Sequence, residues 1–457
     1  MAMKNYIYSA MAIFTDAEGL RGKLKAIGDI TNKANMLLGR KTGYKIPITF
    51  GTPNDGLYYP EGIDRLKWIE KIYAKKELVY SEQERKVNIF LPTIQADLIF
   101  GGYISLFNFA KSLVDAGFSL RFVLCDQMFI SEKTLREQFA NDKLVGYCLQ
   151  NAEVCKWMEI ESYTFGYDDI NIGYSWTTMY YASVVAGNTS NLPLFFIQEY
   201  ESIFYENNSF RALCDETYGL PHKAIFNSKF LKKYFQQKKL GVFRDDVNSS
   251  NSIHFEHTFA DLDLPDLKVM SDKTTKKLMF YARPENHAMR NLFELATYAL
   301  IKAIDEEVFD DTWEFYGVGS LKPIPKIPLG KGHYLQMLPR VSFDEYKQML
   351  MKFDIGLCPM YAPHPSVPPF EMASAGMISI TTFYENRSKE DMESISSNLI
   401  ACEPTVKALV ESLKLAKERS GEYEKRVEGS QFEWPRKWED SFNDEFISDF
   451  KRLIDAK

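Results

Sequence analysis

The chain has 457 residues, of which 45% are hydrophobic and 26% are charged, and its formal net charge is −7. This length exceeds one ordinary hydrophobic core, so two large domains are expected. The acidic balance excludes a general nucleic-acid-binding protein, because such proteins need a basic surface to meet the phosphates. An anionic ligand would therefore need a local basic pocket, and we expect no nucleic-acid partner.

Cysteine usage and hydropathy indicate the compartment. The six cysteines are scattered, with no C-x-x-C pair and no Cys/His spacing suited to zinc, which is typical of reduced thiols in a cytoplasmic protein. No apolar run reaches the length of a membrane-spanning helix, and the N-terminus lacks the long apolar core of a signal peptide. These features predict a cytoplasmic location.

Residues 1–84 form an N-terminal extension that we predict to be partly helical. Residues 20–45 mix basic side chains with spaced Leu, Ile and Met, a pattern typical of a basic amphipathic helix. Two interpretations stay open for this segment. It packs on the body of the protein, or it makes a peripheral contact with the inner face of the cell membrane through residues 1–80.

A first series of alternating strands and helices occupies residues 85–260, the predicted N-terminal, acceptor-side domain. It begins with a buried strand, VNIFLPTI (87–94), recognised by its continuous apolar character. Strand–helix pairs are predicted at residues 169–185 and 223–235. Such alternation indicates right-handed βαβ units around a parallel sheet.

A second series occupies residues 261–435, the predicted C-terminal, donor domain, and includes a long helix at 287–304. Residues 254–277 have acids, prolines and no clear period, and are predicted to be a linker. Residues 436–457 are predicted to form a C-terminal helix that crosses back to the N-terminal domain. The fold class is thus α/β, with two Rossmann-like domains facing a central cleft and an extra N-terminal segment.

Two glycine loops differ from the dinucleotide-binding G-x-G-x-x-G pattern. The first strand leads to Gly101 and Gly102, and the segment GVGSLK contains Gly317 and Gly319 but no third glycine. Adjacent glycines let the backbone approach a ligand closely, which suits a loop that closes over a phosphate. A plain turn is the alternative interpretation.

The segment YARPENHAMRN (281–291) carries two arginines around one strand–helix junction. Arg283 follows the strand, and Arg290 is placed near the start of the next helix. The guanidinium group recognises phosphate in a fork-like geometry, and a helix N-terminus adds further donors. The pair could hold a diphosphate, whereas ordinary surface ion pairing is the alternative for either residue alone.

A polar group follows another strand, in the segment IQEYESIF (197–204), which contains Gln198, Glu199 and Glu201. Polar residues at the carboxyl end of a strand are typical of α/β active sites. A solvated acidic loop is the competing interpretation. The Asp-Leu-Asp sequence at 261–263 lies in the predicted linker, so no metal site is expected.

The segment YAPHPSVPPFEMASAGMISITTFYENRS (361–388) combines a proline-rich loop with one acid, Glu371, at the start of a short helix. Helix capping explains an acid and a proline in a first turn. The alternative is a loop stiffened so that its backbone N–H groups and this carboxylate meet a ligand.

These segments occur in the order found in a known family. SVPPFEMASAG closely resembles the G-L-P-P-L-E-A-M-A-C-G segment of family 4 glycosyltransferases, which have the GT-B fold. FYARPENHAMRN resembles their diphosphate element, EFYGVGS is similar to their strand ending in G-x-G, and GGYISLFNFAKSLVDAG is similar to their glycine loop and first helix. The combination of FFIQEYE, FYARP, HPSVPPFEMASAG and TTFYENRS is closest to WsaF-type bacterial rhamnosyltransferases.

By this resemblance, Glu371 binds a hydroxyl group of the nucleotide's sugar. Arg283 and Arg290 hold the diphosphate, helped by backbone N–H groups around Ser366 and Val367. The other residues of the expected donor site are Gly101, Gly102, Gly317, Gly319 and His364.

Two positions depart from the wider family. Its second glutamate corresponds to Pro363 here, and a histidine common after the N-domain strand corresponds to Gln198. Glu199, Glu201 and Gln198 are therefore assigned to positioning the acceptor rather than to a family catalytic role.

The resemblance implies a metal-independent glycosyltransferase that needs no cofactor besides its nucleotide-sugar donor. The expected donor is dTDP-L-rhamnose, and the expected acceptor is a glycan or a lipid-linked oligosaccharide in bacterial cell-surface polysaccharide synthesis. Two alternatives stay open. One is the same fold with a UDP- or GDP-hexose donor, and the other is a non-catalytic sugar-nucleotide-binding or assembly subunit.

Overall fold

A computed structural model describes residues 63–99, 101–126, 130–259, 261–320, 324–339, 341 and 343–456. The predicted amphipathic helix at residues 20–45 lies outside the described residues, as does every residue of the predicted extension before Ile63.

The chain divides into two compact units. The first contains the described residues up to Ile197, together with residues 213–225 and the residues from 447 onward. The second contains residues 198–212 and 226–446. Each unit therefore combines segments that are distant in the sequence, and the domain boundaries given above stay a prediction.

The strands of the described residues are β1 (Val79–Ser81), β2 (Lys86–Leu91), β3 (Ser119–Leu124), β4 (Ala152–Lys156), β5 (Thr164–Gly166), β6 (Ile170–Gly173), β7 (Leu194–Ile197), β8 (Lys223–Asn227), β9 (Ser252–Phe255), β10 (Lys276–Tyr281), β11 (Trp313–Val318), β12 (Ile327–Gly330), β13 (His333–Met337), β14 (Ile355–Leu357), β15 (Ile378–Thr382) and β16 (Leu399–Cys402).

The helices of the described residues are α1 (Ile63–Ile72), α2 (Gly102–Asp115), α3 (Glu132–Gln138), α4 (Val145–Gln150), α5 (Trp176–Ala186), α6 (Ser209–Gly219), α7 (Lys229–Lys238), α8 (Leu267–Ser271), α9 (Phe293–Asp305), α10 (Phe343–Leu350), α11 (Pro368–Ser374), α12 (Lys389–Glu393), α13 (Val406–Arg419), α14 (Tyr423–Gly429), α15 (Trp438–Ser441) and α16 (Asp444–Asp455).

The first large sheet has the strand order β4-β3-β2-β6-β7-β8-β9. Strand β2 pairs in parallel with β3 on one side and with β6 on the other. The strand order reverses at this point, and ligands of open α/β sheets bind beyond the carboxyl ends of the strands at such a reversal. The glycine loop, which follows β2 in the chain, therefore starts at a position that suits binding.

The second large sheet has the strand order β12-β13-β11-β10-β14-β15-β16. All of its pairs are parallel except β12 with β13. The strand order reverses between β10 and β14, which pair directly through Leu278 and Ile355. Because parallel strands end at the same edge of a sheet, the loops after β10 and β14 begin side by side.

The core explains why these segments form strands. Strand β2 is buried at five consecutive positions, from Val87 to Leu91. The central strands β10 and β14 of the second sheet contribute Leu278, Phe280 and Ile355, all fully buried, to one cluster. Strands covered on both faces need such continuous apolar runs, so the sequence pattern and the packing agree.

Two predicted elements differ from the structure. Residues predicted as one helix at 287–304 form a 3₁₀ turn, Asn286–Asn291, and then helix α9. Leu292 separates them with a φ of +50°, which interrupts the helical hydrogen bonds. The predicted linker contains the end of strand β9 and the short helix α8, whose first turn is capped by the side chain of Asp266.

Helix α16 belongs to the first unit from Ile447 onward, although it lies at the end of the described chain. Its Phe450 ring lies 5.5 Å from the ring of Phe109 and 5.6 Å from that of Phe118. Lys223 Nζ donates at 2.7 Å to the carbonyl oxygen of Leu453, a last-turn carbonyl without a helical partner. These contacts fix the C-terminal helix on the first unit.

No helix in the described part of the chain is long and apolar enough to span a lipid bilayer.

Candidate functional site

The loops after β10 and β14 meet in the second unit. The backbone N–H of Tyr361, in the loop after β14, donates at 2.7 Å to the carbonyl oxygen of Arg290, in the segment after β10. The sheet topology thus brings the predicted diphosphate residue Arg290 against the proline-rich loop.

A buried carboxylate lies next to this arginine. Glu199 is only 7% exposed, and its Oε2 lies 3.9 Å from Arg290 Nε. Its Oε1 accepts hydrogen bonds from the backbone N–H groups of Tyr200 (3.1 Å) and His364 (3.3 Å). Burial raises the pKa of Glu199 to about 7, while Arg290 acts in the opposite direction. The pair therefore combines a cation with a carboxyl group that titrates near neutral pH.

Arg290 has donors beyond this ion pair. Its Nη1 donates at 3.0 Å to the carbonyl oxygen of His287. Its Nε is buried and has no hydrogen-bond partner within the described parts of the chain. The ring of Phe204 lies 4.9 Å from the guanidinium carbon. A buried donor of this kind usually has a partner, so a ligand oxygen is a suitable one.

Arg283 is held differently. Its Nε donates to Glu285 Oε2 at 2.9 Å, and its Nη1 donates to the hydroxyl group of Tyr281 at 3.1 Å. Its Nη2 lies 3.1 Å from His287 Nε2. All three nitrogen atoms have protein partners, so a phosphate would have to exchange with Glu285 at this arginine.

The proline-rich loop is held by a buried arginine that sequence reasoning did not single out. Arg387 is fully buried and donates to the carbonyl oxygens of Met360 (2.6 Å) and Ala362 (3.2 Å) and to that of Thr382. Burial lowers its pKa to about 10, and Glu199 opposes this shift. The only sequence signal was its position inside the TTFYENRS segment (381–388).

Asn386, the residue before Arg387, also holds the proline-rich loop. The side-chain amide of Asn386 donates to the carbonyl oxygens of Phe230 (2.6 Å) and Pro363 (3.0 Å). Asn386 is almost fully buried, so these hydrogen bonds are protected from water. The turn containing Asn386 and Arg387 therefore fixes the shape of the loop before α11.

His364 and Ser366 form the next part of the loop. The Ser366 N–H donates at 3.0 Å to His364 Nδ1, which must therefore be an acceptor. Burial lowers the pKa of His364 to about 3, so the imidazole is neutral. Ser366 has a φ of +67°, a conformation that non-glycine residues rarely adopt. Val367 follows as the N-cap residue of α11.

Glu371 lies in the first turn of α11 and is 8% exposed. The hydroxyl group of Tyr346 donates to its Oε2 at 3.0 Å. Burial, and then the nearby Glu371 carboxylate, raise the pKa of Tyr346 well above its usual value. The carboxylate is thus oriented by a side chain from α10, which a capping role alone does not require.

The two glycines after β11 have different environments. Gly319 has a φ of +100°, and a Cβ there would lie 2.9 Å from Arg283 Cδ. Gly317 is buried within β11, where a Cβ would lie 2.2 Å from Met337 Sδ. Gly319 therefore borders a predicted diphosphate residue, whereas strand packing explains Gly317.

Gly101 and Gly102 belong to the first unit, whereas the residues described above belong to the second. Gly101 is the N-cap of α2 and has a φ of +47° and a ψ of −113°. No atom lies within 4 Å of the position that a Cβ would take. Its conformation, rather than a lack of space, therefore favours glycine. Gly102 is the first residue of α2.

The remaining acceptor candidates surround Glu199 in the sequence. Gln198 Oε1 accepts a hydrogen bond of 2.7 Å from the side-chain amide of Asn227. Asn227 Oδ1 is buried and has no hydrogen-bond partner among the residues that the structure describes, a feature that the sequence did not reveal. Glu201 begins a 3₁₀ turn, Glu201–Phe204, and is half-buried.

Among the described residues, no group of three or more His, Cys, Asp or Glu side chains is placed to hold a metal ion. The positive charge of the site comes from Arg290, Arg283 and Arg387. Together with the buried carboxylates, this arrangement can bind an anion next to a group that accepts a proton.

Comparison with protein families gives two matches. Residues 86–229 match the profile described as WsaF, N-terminal domain, and residues 276–414 match WsaF, C-terminal domain. The two matches together cover more than half of the chain.

One curated relative is named O-antigen biosynthesis protein RfbC, from Myxococcus xanthus. It is 27% identical over 255 residues, which are 54% of this chain and 18% of the relative. The chain thus spans less than a fifth of the relative's length.

Solved structures establish the fold. A sucrose-phosphate synthase from Thermosynechococcus elongatus has a TM-score of 0.53 at 10% identity and covers 82% of this chain and 100% of its own. Anabaena Alr3699/HepE, solved with UDP-glucose, has a TM-score of 0.51 at 11% identity and covers 80% and 98%. The predicted fold class, GT-B with two Rossmann-like domains, is confirmed.

Proposed function

This chain belongs to the WsaF family of GT-B glycosyltransferases, and we propose that it transfers L-rhamnose from dTDP-L-rhamnose to a glycan or lipid-linked acceptor. The setting is bacterial cell-surface polysaccharide synthesis on the cytoplasmic side of the membrane. The name of the curated relative supports this setting.

The observation that carries the proposal is the pair formed by Arg290 and Glu199 beside the loop of residues 361–367. Arg290 has a buried Nε without a hydrogen-bond partner among the described residues, and Glu199 is held 3.9 Å from that atom. A nucleotide-sugar donor presents a diphosphate, whose oxygens suit the guanidinium group. An acceptor presents a hydroxyl group, which suits the carboxylate.

The donor diphosphate binds mainly to Arg290 in this scheme. Arg283 contributes once Glu285 yields its place, and the Val367 N–H provides a further donor, since the Ser366 N–H is used by His364. The charge that develops on the leaving diphosphate is stabilised by these fixed donors, which need no rearrangement during the reaction.

Glu199 positions the acceptor hydroxyl group and takes its proton. A general base works best when its pKa is near the operating pH, and the pKa of Glu199 is raised to about 7. Holding the hydroxyl group in place also removes much of the entropic cost of the encounter. Gln198 and Glu201, on the same segment, assist in positioning the acceptor.

Glu371 accepts a hydrogen bond from a hydroxyl group of the nucleotide's sugar. Tyr346 orients the carboxylate at 3.0 Å. A calorimetric binding cycle tests this role with two proteins, wild type and Glu371→Ala, and two ligands, dTDP and its 3′-deoxy analogue. We expect a coupling energy of about 1–2 kcal/mol. A coupling energy near zero would return Glu371 to a capping role.

The decisive experiment is a donor panel. Turnover and thermal shift are measured with dTDP-L-rhamnose, UDP-glucose and GDP-mannose, since a ligand that binds the folded state stabilises it. Turnover and stabilisation with dTDP-L-rhamnose alone are expected. Preference for a hexose donor would favour that alternative, and stabilisation without turnover on any acceptor would favour a non-catalytic subunit.

Metal independence is tested in the same assay. We expect transfer to persist in EDTA, because the arginines supply the positive charge for the diphosphate. Activity that disappears with the chelator and returns with manganese would contradict this part of the proposal.

We assign peripheral membrane contact to the basic N-terminal segment. Trp68 and Tyr73 pack on Trp176 and Tyr180 of the first unit, so a deletion should stop before α1. Removal of residues 1–62 is expected to abolish flotation with anionic vesicles and to leave donor binding unchanged. Unchanged flotation would contradict the assignment.

A further inference from the structure

Two residues with exposed aromatic rings contact Arg290, Phe204 through its ring and Tyr361 through its backbone. Tyr361 is 53% exposed and Phe204 is 43% exposed. The Phe204 ring lies 4.9 Å from the guanidinium carbon of Arg290, and the Tyr361 N–H donates at 2.7 Å to the carbonyl oxygen of the same arginine. Both residues are therefore attached to one member of the proposed site.

Tyr361 is supported by further aromatic packing. Its ring lies 5.2 Å from the ring of Tyr384 at an interplanar angle of 89°, and Tyr384 lies 6.2 Å from Tyr234. The next residue, Ala362, has its carbonyl oxygen held by buried Arg387. The ring is thus presented to solvent from a loop with a fixed backbone.

Single exposed apolar side chains are common and need no explanation. These two differ because both contact Arg290, which pairs with the buried carboxylate of Glu199 and has a buried Nε without a hydrogen-bond partner among the described residues. Binding sites combine aromatic surfaces with a few fixed polar groups in this way.

We propose that Tyr361 and Phe204 form a stacking platform for a pyranose ring of the acceptor saccharide. A pyranose has an apolar face of C–H groups and a rim of hydroxyl groups. The aromatic faces pack against the C–H groups, while Glu199 accepts a hydrogen bond from the rim. This inference rests on the proposed function and names the acceptor-binding part of the same site.

The chemistry of the neighbours favours a saccharide over a nucleotide base. Glu199 and Asn227 present oxygen atoms that accept hydrogen bonds. The Oδ1 of Asn227 is buried and has no hydrogen-bond partner among the described residues. A saccharide offers several hydroxyl donors to such groups, whereas the thymine or uracil base of the proposed donors offers one ring N–H. The test must therefore distinguish stacking on a saccharide from stacking on a nucleotide base.

The test uses the full chain and three variants. Tyr361→Ala removes one of the two platform rings, and Tyr361→Phe keeps that ring without its hydroxyl group. Tyr298→Ala is the matched control, because Tyr298 is 49% exposed and its ring has Lys302 over it, on helix α9 of the same unit. Phe204 is left intact because it contacts Arg290, whose role in donor binding would confuse the result.

The probe is a mixture of α-L-rhamno-oligosaccharides of two to six units, measured by saturation-transfer NMR and calorimetry, with dTDP as the second ligand. We expect Tyr361→Ala to weaken oligosaccharide binding about tenfold, which corresponds to about 1.4 kcal/mol. Tyr361→Phe and Tyr298→Ala should bind the oligosaccharides as wild type does, and all variants should bind dTDP equally.

Three results would overturn the platform. The first is that the wild-type protein binds none of the oligosaccharides, and the second is that the Tyr361→Ala variant binds them as tightly as wild type. The third is that the Tyr361→Ala variant loses dTDP binding instead, which would indicate that Tyr361 stacks on the nucleotide base. A separate result identifies failure of the proposed function. Wild type that binds the oligosaccharides through Tyr361 but binds no sugar nucleotide would contradict the transferase and leave the platform standing.

Discussion

The two loops that the sequence predicts to contact a ligand, the glycine loop before α2 and the proline-rich loop before α11, are built in opposite ways. The loop before α2 turns at Gly101, where no atom lies within 4 Å of the position that a Cβ would take. The loop before α11 is held by Arg387 and Asn386, which donate to three of its carbonyl oxygens. The first depends on the absence of a side chain, and the second depends on side chains from elsewhere in the chain.

This difference indicates how each loop contributes. A turn at glycine adopts a backbone conformation that side chains disfavour and lets a ligand approach the backbone closely. A loop fixed by buried charges and amides is preorganised before the ligand arrives, which is what electrostatic catalysis requires. The comparison predicts that substitutions near the second loop have the larger effects.

The largest effect is expected for Arg387→Met. The carbonyl group of Ala362 would lose the guanidinium donor, that of Met360 would keep only the hydroxyl donor of Thr382, and buried Glu199 would lose a nearby positive charge. We expect the free energy of unfolding to fall by about 3–5 kcal/mol. Urea unfolding at pH 7.5 measures this change. Arg244→Met, at an exposed position, is the control. If Arg387→Met lowered the free energy of unfolding as little as the control does, the inference that Arg387 holds the loop before α11 would be refuted.

The second effect concerns pH. The pKa of Glu199 is about 7 in the folded protein, above its ordinary value of 4.5. Between these values the folded state holds a proton that the unfolded state releases, so this group lowers the free energy of unfolding as the pH rises through 4.5–7. The Glu199→Gln variant has no carboxyl group to titrate, so its free energy of unfolding does not fall in this way. The difference in the free energy of unfolding between Glu199→Gln and wild type should therefore grow to about 3 kcal/mol above pH 7.

Unfolding curves of wild type and Glu199→Gln at half-unit pH steps measure this difference. The same substitution at exposed Glu206 is the control. A difference between wild type and Glu199→Gln that stays constant with pH would show that folding does not raise the pKa of Glu199. It would also remove its role as a base near neutral pH.

The third effect separates the two arginines of the site. Arg290→Ala should weaken dTDP binding by about 2 kcal/mol, because a buried charge-assisted donor is lost. Arg283→Ala should cost less than about 1 kcal/mol, because binding there displaces Glu285. Calorimetry measures both, and Glu285→Gln is expected to tighten dTDP binding. Equal losses for the two arginines would show that Arg283 is as available as Arg290.

The smallest effect is expected in the glycine loop. Gly101→Ala should lower the free energy of unfolding by about 1 kcal/mol, since its φ of +47° strains any side chain although no atom is close. Gly102→Ala is the matched control, because Gly102 begins α2 and alanine favours helix there. Thermal unfolding measures both. A Gly101→Ala protein as stable as Gly102→Ala would show that the turn tolerates a side chain.

The sequence by itself determined the local features of this protein. Continuous apolar runs identified strands such as β2 because burial on both faces allows no polar alternation. Alternation of strands with amphipathic segments identified the parallel sheets, and the short segments that carry Arg283, Arg290 and Glu371 resembled those of the family. All of these signals are carried by neighbouring residues.

Only the tertiary structure decided which charges meet. Glu199 accepts a hydrogen bond from the backbone N–H of His364, 165 residues away in the chain. Arg387 donates to the carbonyl oxygen of Ala362, although strand β15 lies between the two residues in the sequence. Leu292 breaks the predicted helix after Arg290, which a period of apolar residues does not report. The physical reason is that burial and the pairing of charges depend on strand order, so residues far apart in the chain set the pKa of Glu199 and the shape of the loop.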